Sequence, residues 1–159
     1  MRATPRSESL TGLFARAEDA LLMPFQAQLK SRGLSIVEWR VLKTLLAEDG
    51  MRITDLAERA RSLQVTITQA IGRMERAGLV SRRVPSGDRR SRCVYLSGRG
   101  RRAARQLATL ERRDERAASR ALGAPASRKL KKVLLRFIDS IEGSTLLHNS
   151  LGQPVALRR

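Results

Sequence analysis

Aromatic rings are scarce in this sequence: one Trp, one Tyr and three Phe supply 3% of 159 residues. Most readers of RNA or single-stranded DNA stack bases on exposed rings. The scarcity argues against them and leaves duplex DNA as the better polyanion. Cysteine is scarcer still. A lone Cys93 excludes an internal disulfide and suits a reducing cytoplasm, the expected location. The single histidine, His148, stands near the C-terminus, and no Cys/His cluster or P-loop-type glycine motif accompanies it. Catalysis, a metal and a cofactor are therefore not expected. No apolar run approaches the roughly 20 residues of a spanning helix. The opening MRATPRSESLTGLF has no apolar core of a signal peptide, so neither export nor a membrane partner is expected.

Basic residues are what the chain has in excess. Thirty-two Lys and Arg against 15 Asp and Glu give a formal net charge of +17. Such an excess favours contact with nucleic acid or an anionic surface. A GC-rich genome would also enrich arginine, but everywhere, so position has to decide. The carboxylates are mostly spread at helix spacings beside arginines, as ion pairs would be.

Apolar periodicity organises the chain. Leu10, Leu13, Phe14, Ala17, Leu21, Phe25 and Leu29 mark one face of a helix over about 8–32, with Pro24 expected to kink it or start a new turn. Gly33 ends it as a left-handed cap. Ser35 and Glu38 form a capping box for a helix bearing Val37, Val41, Leu42, Leu45 and Leu46. Ile53 is assigned to a very short strand, and Thr54 caps the next helix, DLAERAR. After a break at Arg61–Gln64, Ile67, Ile71 and Met74 mark a further helix that Gly78 ends. Two β-type runs, Leu79–Val84 and Arg92–Ser97, then flank Pro85, Ser86 and Gly87. Ser97 caps a polar, alanine-rich helix over 98–122. A break at 123–125 precedes a last helix, about 126–146, with Leu130, Val133, Leu134, Phe137, Ile138 and Ile141. The fold class is mainly α with a small β-hairpin wing: a winged helix-turn-helix over 34–97, dimerisation helices at 8–32 and 98–146, and a flexible tail at 148–159.

The segments LSIVEWRVLKTL (34–45), ITDLAERA (53–60), TITQAIGRMERAGLVSR (66–82) and GDRRSRCVYLSGRGR (87–101) occur in the order found in the MarR family of bacterial transcription regulators, which the chain resembles over about residues 10–142. The resemblance implies a homodimer with interlocked terminal helices and two winged lobes facing duplex DNA. The apolar terminal faces agree, since a second copy would bury them; the alternative is that they cover each other within one chain. The chain departs from the family at Leu63, where Ser, Asp or Asn is usual. Either Ser62 takes over the cap or the helix start slips by a residue.

In a recognition helix the N-terminal half reads base edges. Gln64, Thr66, Thr68 and Gln69 have suitable side chains, although any solvated helix face is polar. Arg73, about one turn after Gln69, is expected on a phosphate. A wing beside such a helix lowers its tip into the minor groove, where a narrow A·T segment attracts arginine. Arg89 is the expected inserted side chain. The resemblance makes Asp88 and Arg90 a bracing pair, and Arg82, Arg83 and Arg92 lie along the strands toward phosphates. The competing reading is a solvated charged turn. Many members of the family bind small aromatic acids between the dimer helices and the DNA lobes and then lose DNA. Arg16, Trp39 and Arg40 are the candidates for a carboxylate clamp and ring surface, with core packing as the other role for Trp39. Relatives that sense peroxide use a cysteine in the first helix. None lies there, and Cys93 reads as a small strand residue. The alternative function is a basic winged-helix module that binds nucleic acid without sequence preference or ligand.

Overall fold

The computed structural model describes residues 9–84 and 92–150, with 144–150 as backbone only. Along the chain come α1 (Leu10–Lys30), α2 (Ile36–Ala47), β1 (Met51–Arg52), α3 (Ile53–Arg59), α4 (Gln64–Arg76), β2 (Val80–Arg83), β3 (Cys93–Leu96), α5 (Gly98–Leu122) and α6 (Ala124–Ser150). The protein is mainly helical, with one small antiparallel sheet in the order β1-β3-β2. Val80 faces Leu96 and Arg83 faces Cys93 across the β2–β3 pair, and Met51 faces Val94 across β1–β3. The chain divides into a unit of residues 1–115 and a unit of residues 116–159.

Helix ends explain most boundaries. In α1 the Ser9 side chain accepts the Gly12 N–H. At its other end the Leu34 N–H reaches the Leu29 carbonyl and the Gly33 N–H the Lys30 carbonyl, with Gly33 at φ +68°. This is the double bond of a left-handed glycine cap. Leu79, Met74, Gly78 and Glu75 repeat it after α4. The α3–α4 turn repeats the bonds once more, but there Arg61 occupies the left-handed region at φ 49°. Ser97 caps α5 by accepting the Gly100 N–H at 2.9 Å, and its own hydroxyl donates to the Gly78 carbonyl at 2.7 Å. Gly100 is needed there for contact: a Cβ would stand 1.9 Å from the Leu79 carbonyl oxygen.

Pro24 lies inside α1, which continues past it to Lys30. Other expectations need correction. Ile53 opens α3 rather than lying in a strand, and Arg52 is the cap position, with no side-chain bond. Thr54 is therefore already helical, and its hydroxyl donates to Asp55 at 3.1 Å. The last helix starts at Ala124, with only Gly123, at φ +84°, breaking it from α5, and its backbone stays helical to Ser150.

One core serves the first unit. Phe25 and Leu29 of α1, Trp39, Leu42 and Leu45 of α2, Leu56 of α3, and Ile67, Ile71 and Met74 of α4 meet Val80, Val94, Leu96 and Leu107. Polar ties fix their relative rotation. Asp49 accepts the Gly50 and Leu96 N–H groups through Oδ1 and the Arg101 guanidinium through Oδ2 at 2.6 Å. It thus joins the α2–β1 corner to β3 and α5. Glu38 is the charged residue buried among the described ones, 5% exposed. Its Oε2 accepts the Ser35 N–H at 2.8 Å and the Ser35 hydroxyl at 3.0 Å, which completes the capping box of α2. Its Oε1 accepts Arg73 Nε of α4 at 2.9 Å. One carboxylate thereby pins the start of α2 to α4.

Because both partners are in contact, their contributions to stability are coupled. A double-mutant cycle with Glu38→Gln and Arg73→Met, read by urea unfolding, is expected to give an interaction energy of about 0.5–3 kcal/mol. Additive single effects would show that the pair does not brace α4.

Candidate nucleic-acid interface

Helix α4 is two-faced by construction. Ile67, Ala70, Ile71 and Met74 are buried, and Gln64, Val65, Thr68, Gln69 and Arg73 are exposed. Thr66 is half-buried, between the two faces. The helix begins at Gln64 with Leu63 at the cap position and no side-chain cap bond. Leu63 thus keeps the cap position without capping, and neither a cap from Ser62 nor a slipped start replaces it. The Thr68 hydroxyl donates to the Gln64 carbonyl at 2.8 Å, leaving its lone pairs outward. The two glutamine amides make no hydrogen bond among the described residues, so each keeps both donors and its acceptor for a base edge. Arg73, half exposed, holds Glu38 through Nε, and its two η nitrogens remain for a phosphate.

The strand arginines divide by role. Arg82 turns back to α4: its N–H donates to Glu75 Oε1 at 3.2 Å, and its Nε lies 3.7 Å from Glu75 Oε2, an ion-pair distance rather than a hydrogen bond. Arg83 is exposed and its guanidinium lies 5.8 Å from the Tyr95 ring centre. Arg92 is exposed. Asp88, Arg89 and Arg90 lie outside the described residues. Cys93 is buried in β3, the small strand residue expected of it.

The expected ligand residues do not converge. Trp39 is 1% exposed, meets Phe25 edge to face at 5.5 Å, and donates its indole N–H to Glu111 at 3.0 Å. It is a core residue and offers no ring surface. Arg16 is exposed on α1. Arg40 pairs with Glu18 at 3.5 Å and lines an open groove of about 520 Å³ together with Glu18, Lys43, Thr44, Ala47, Arg59, Ala60 and Arg61. Neither Arg16 nor Trp39 lines it. Sequence reasoning missed Lys43, which holds Glu111 at 2.8 Å, and Arg61, whose only signal was a basic residue inside a turn. It also missed Leu63 and Val65, 73% and 61% exposed beside the polar α4 face. Among the described residues no cluster of His, Cys, Asp and Glu could hold a metal ion. No described helix is long and apolar enough to cross a membrane.

Comparison with known proteins follows the same outline. The MarR family model matches residues 34–91, the span from the start of α2 into the wing. The homoprotocatechuate degradative operon repressor of Escherichia coli is 34% identical over 93 residues, which cover 58% of this chain and 63% of that protein. The matched part thus spans less than two thirds of that curated relative. A MarR family transcriptional regulator from Silicibacter pomeroyi superimposes with a TM-score of 0.75 at 31% identity, over 87% of this chain and 99% of that one. NadR in complex with 4-hydroxyphenylacetate superimposes with a TM-score of 0.67 at 26% identity, over 86% of this chain and 97% of that one. With a winged helix-turn-helix and 31% identity to a solved member over 99% of that member's length, the chain belongs to the MarR family of transcription regulators.

Proposed function

We propose that the protein is a sequence-specific DNA-binding regulator, a repressor, that grips a pseudo-palindromic operator as a homodimer. The observation that carries this reading is α4: a helix seated by its apolar face, braced by Glu38, and presenting Gln64 and Gln69 with uncommitted amides and Thr68 with its hydroxyl oxygen as an acceptor. Those groups match the donor and acceptor pattern of major-groove edges. Arg73, Arg83 and Arg92 serve phosphates beside it, and Arg82 braces the root of the wing. For Asp88, Arg89 and Arg90, outside the described residues, the proposed roles are those the family resemblance implies: Arg89 enters the minor groove, and Asp88 and Arg90 brace the wing. The name of the Escherichia coli relative supports repression.

Dimerisation rests on the helices at 8–32 and 98–146, which flank the DNA-binding part at 34–97. On α1, Leu10 and Leu21 are 56% and 55% exposed, and on α6 Leu130 and Val133 are 48% and 55% exposed. Apolar faces of this extent favour burial against a second copy. The ligand is a small aromatic acid, as 4-hydroxyphenylacetate is for NadR. Its carboxylate is placed at Arg40 and Lys43 in the 520 Å³ groove, with Glu18 displaced from Arg40. Trp39 acts there only by holding Glu111 and the core.

Light scattering at micromolar concentration is expected to give about twice the chain mass of 17.7 kDa. Ile138→Asp is expected to shift that mass toward the monomer, since an unpaired carboxylate resists burial. An unchanged monomeric mass for the parent chain would reject the dimer.

Affinity for duplex DNA is expected to fall with salt, with a slope of about −0.9 in log K against log salt for each phosphate neutralised. Arg83→Ala is expected to weaken enriched and scrambled duplexes alike and to make the slope shallower. Relaxed preference at a single base pair would instead make Arg83 a base reader.

A further inference from the structure

Two apolar side chains stand in the polar face just described. Leu63 is 73% exposed and Val65 61% exposed, and neither belongs to the core. At position 63 the choice also forgoes a cap. Ser, Thr, Asp or Asn there would accept a first-turn N–H of α4. Leu63 makes no such bond, and it buries little in exchange. An exposed leucine in place of a helix cap serves neither the helix nor the core, so its use lies outside the chain.

We propose that Leu63 and Val65 receive thymine methyl groups in the major groove, which makes the protein a reader of T through apolar contact as well as of A through hydrogen bonds. This deepens the DNA-reading function proposed above and rests on it. The C5-methyl of thymine is the apolar feature of the major-groove edge, and it shares that edge with the N6 and N7 groups of adenine. Val65 and Gln69 are four residues apart on α4 and so share a face. Gln69 suits adenine and Val65 the methyl of the same or a neighbouring A·T pair. The surroundings favour DNA over an apolar protein partner. Arg61 is exposed two residues before Leu63, and Arg73 and Arg76 are exposed further along α4, so cations that match phosphates flank the helix at both ends.

The test uses the full chain and a duplex enriched from a random pool. Each thymine is replaced in turn by deoxyuridine, which deletes the methyl and keeps the base pair. At symmetry-related positions in the two half-sites the parent chain is expected to lose about fourfold in affinity, the size set by one methyl leaving an apolar contact. Val65→Ala is expected to bind the parent and substituted duplexes equally at its position. Leu63→Asn is expected to raise the melting midpoint by supplying the cap, and to become insensitive to deoxyuridine at its own position. A flat scan for the parent chain, or identical losses in the parent and both variants, would overturn the proposal. If enriched and scrambled duplexes are still told apart when the scan is flat, only methyl reading falls. If they are not, DNA reading falls with it.

Discussion

A single buried carboxylate sets the pose of the helix that the rest of the protein presents. Apolar contact holds α4 against the core through Ile67, Ile71 and Met74, but such contact is non-directional and tolerates small rotations. Glu38 removes that freedom. It is fixed by two bonds from Ser35 and then accepts Arg73 at 2.9 Å. Burial strengthens the consequence, because an unpaired carboxylate in that position is costly. The residue that completes a helix cap on α2 is thus also the reference point for α4. Reading a groove depends on angular placement of a few side chains, so the same bond that looks like local capping bears on function.

Charge is distributed with a comparable economy. A net charge of +17 repels itself, and part of the positive charge is used internally. Arg101 binds Asp49 at the sheet corner, Lys43 binds Glu111 on α5, and Arg82 folds back on Glu75. Each ties two elements together. Arg73, Arg83 and Arg92, together with Arg61 in its left-handed turn, are among the exposed cations of the first unit. Holding a non-glycine residue at φ 49° costs roughly 1 kcal/mol, so the turn accepts strain where glycine would relieve it.

Local signals in the sequence carried far. The order of elements, the glycine caps at Gly33 and Gly78, the Ser35–Glu38 box and the Ser97 cap depend on residues within a few positions of each other, where spacing alone is informative. The MarR resemblance rested on those same pieces. What stayed hidden depends on partners distant in sequence. Nothing near Glu38 points to Arg73, 35 positions away, and nothing near Trp39 points to Glu111, 72 positions away. Trp39 and Arg40 are neighbours in sequence but face opposite environments, core and groove, which broke up the expected ligand set. The start of α4 was misjudged because its cap position carries Leu63, which lacks the side-chain signal that marks a helix start.

The account turns on the claim that Glu38 governs how α4 meets DNA, beyond what it does for the fold. The direct measurement is the ratio of affinities for an enriched duplex and its scrambled counterpart, compared between the parent chain and Glu38→Gln at a temperature where both are folded. Glutamine keeps the shape and removes the charge that orients Arg73. The account predicts that the ratio falls severalfold while affinity for the scrambled duplex is nearly unchanged, because phosphate attraction survives a misaligned helix but base reading does not. An unchanged ratio, with the variant folded, would contradict it.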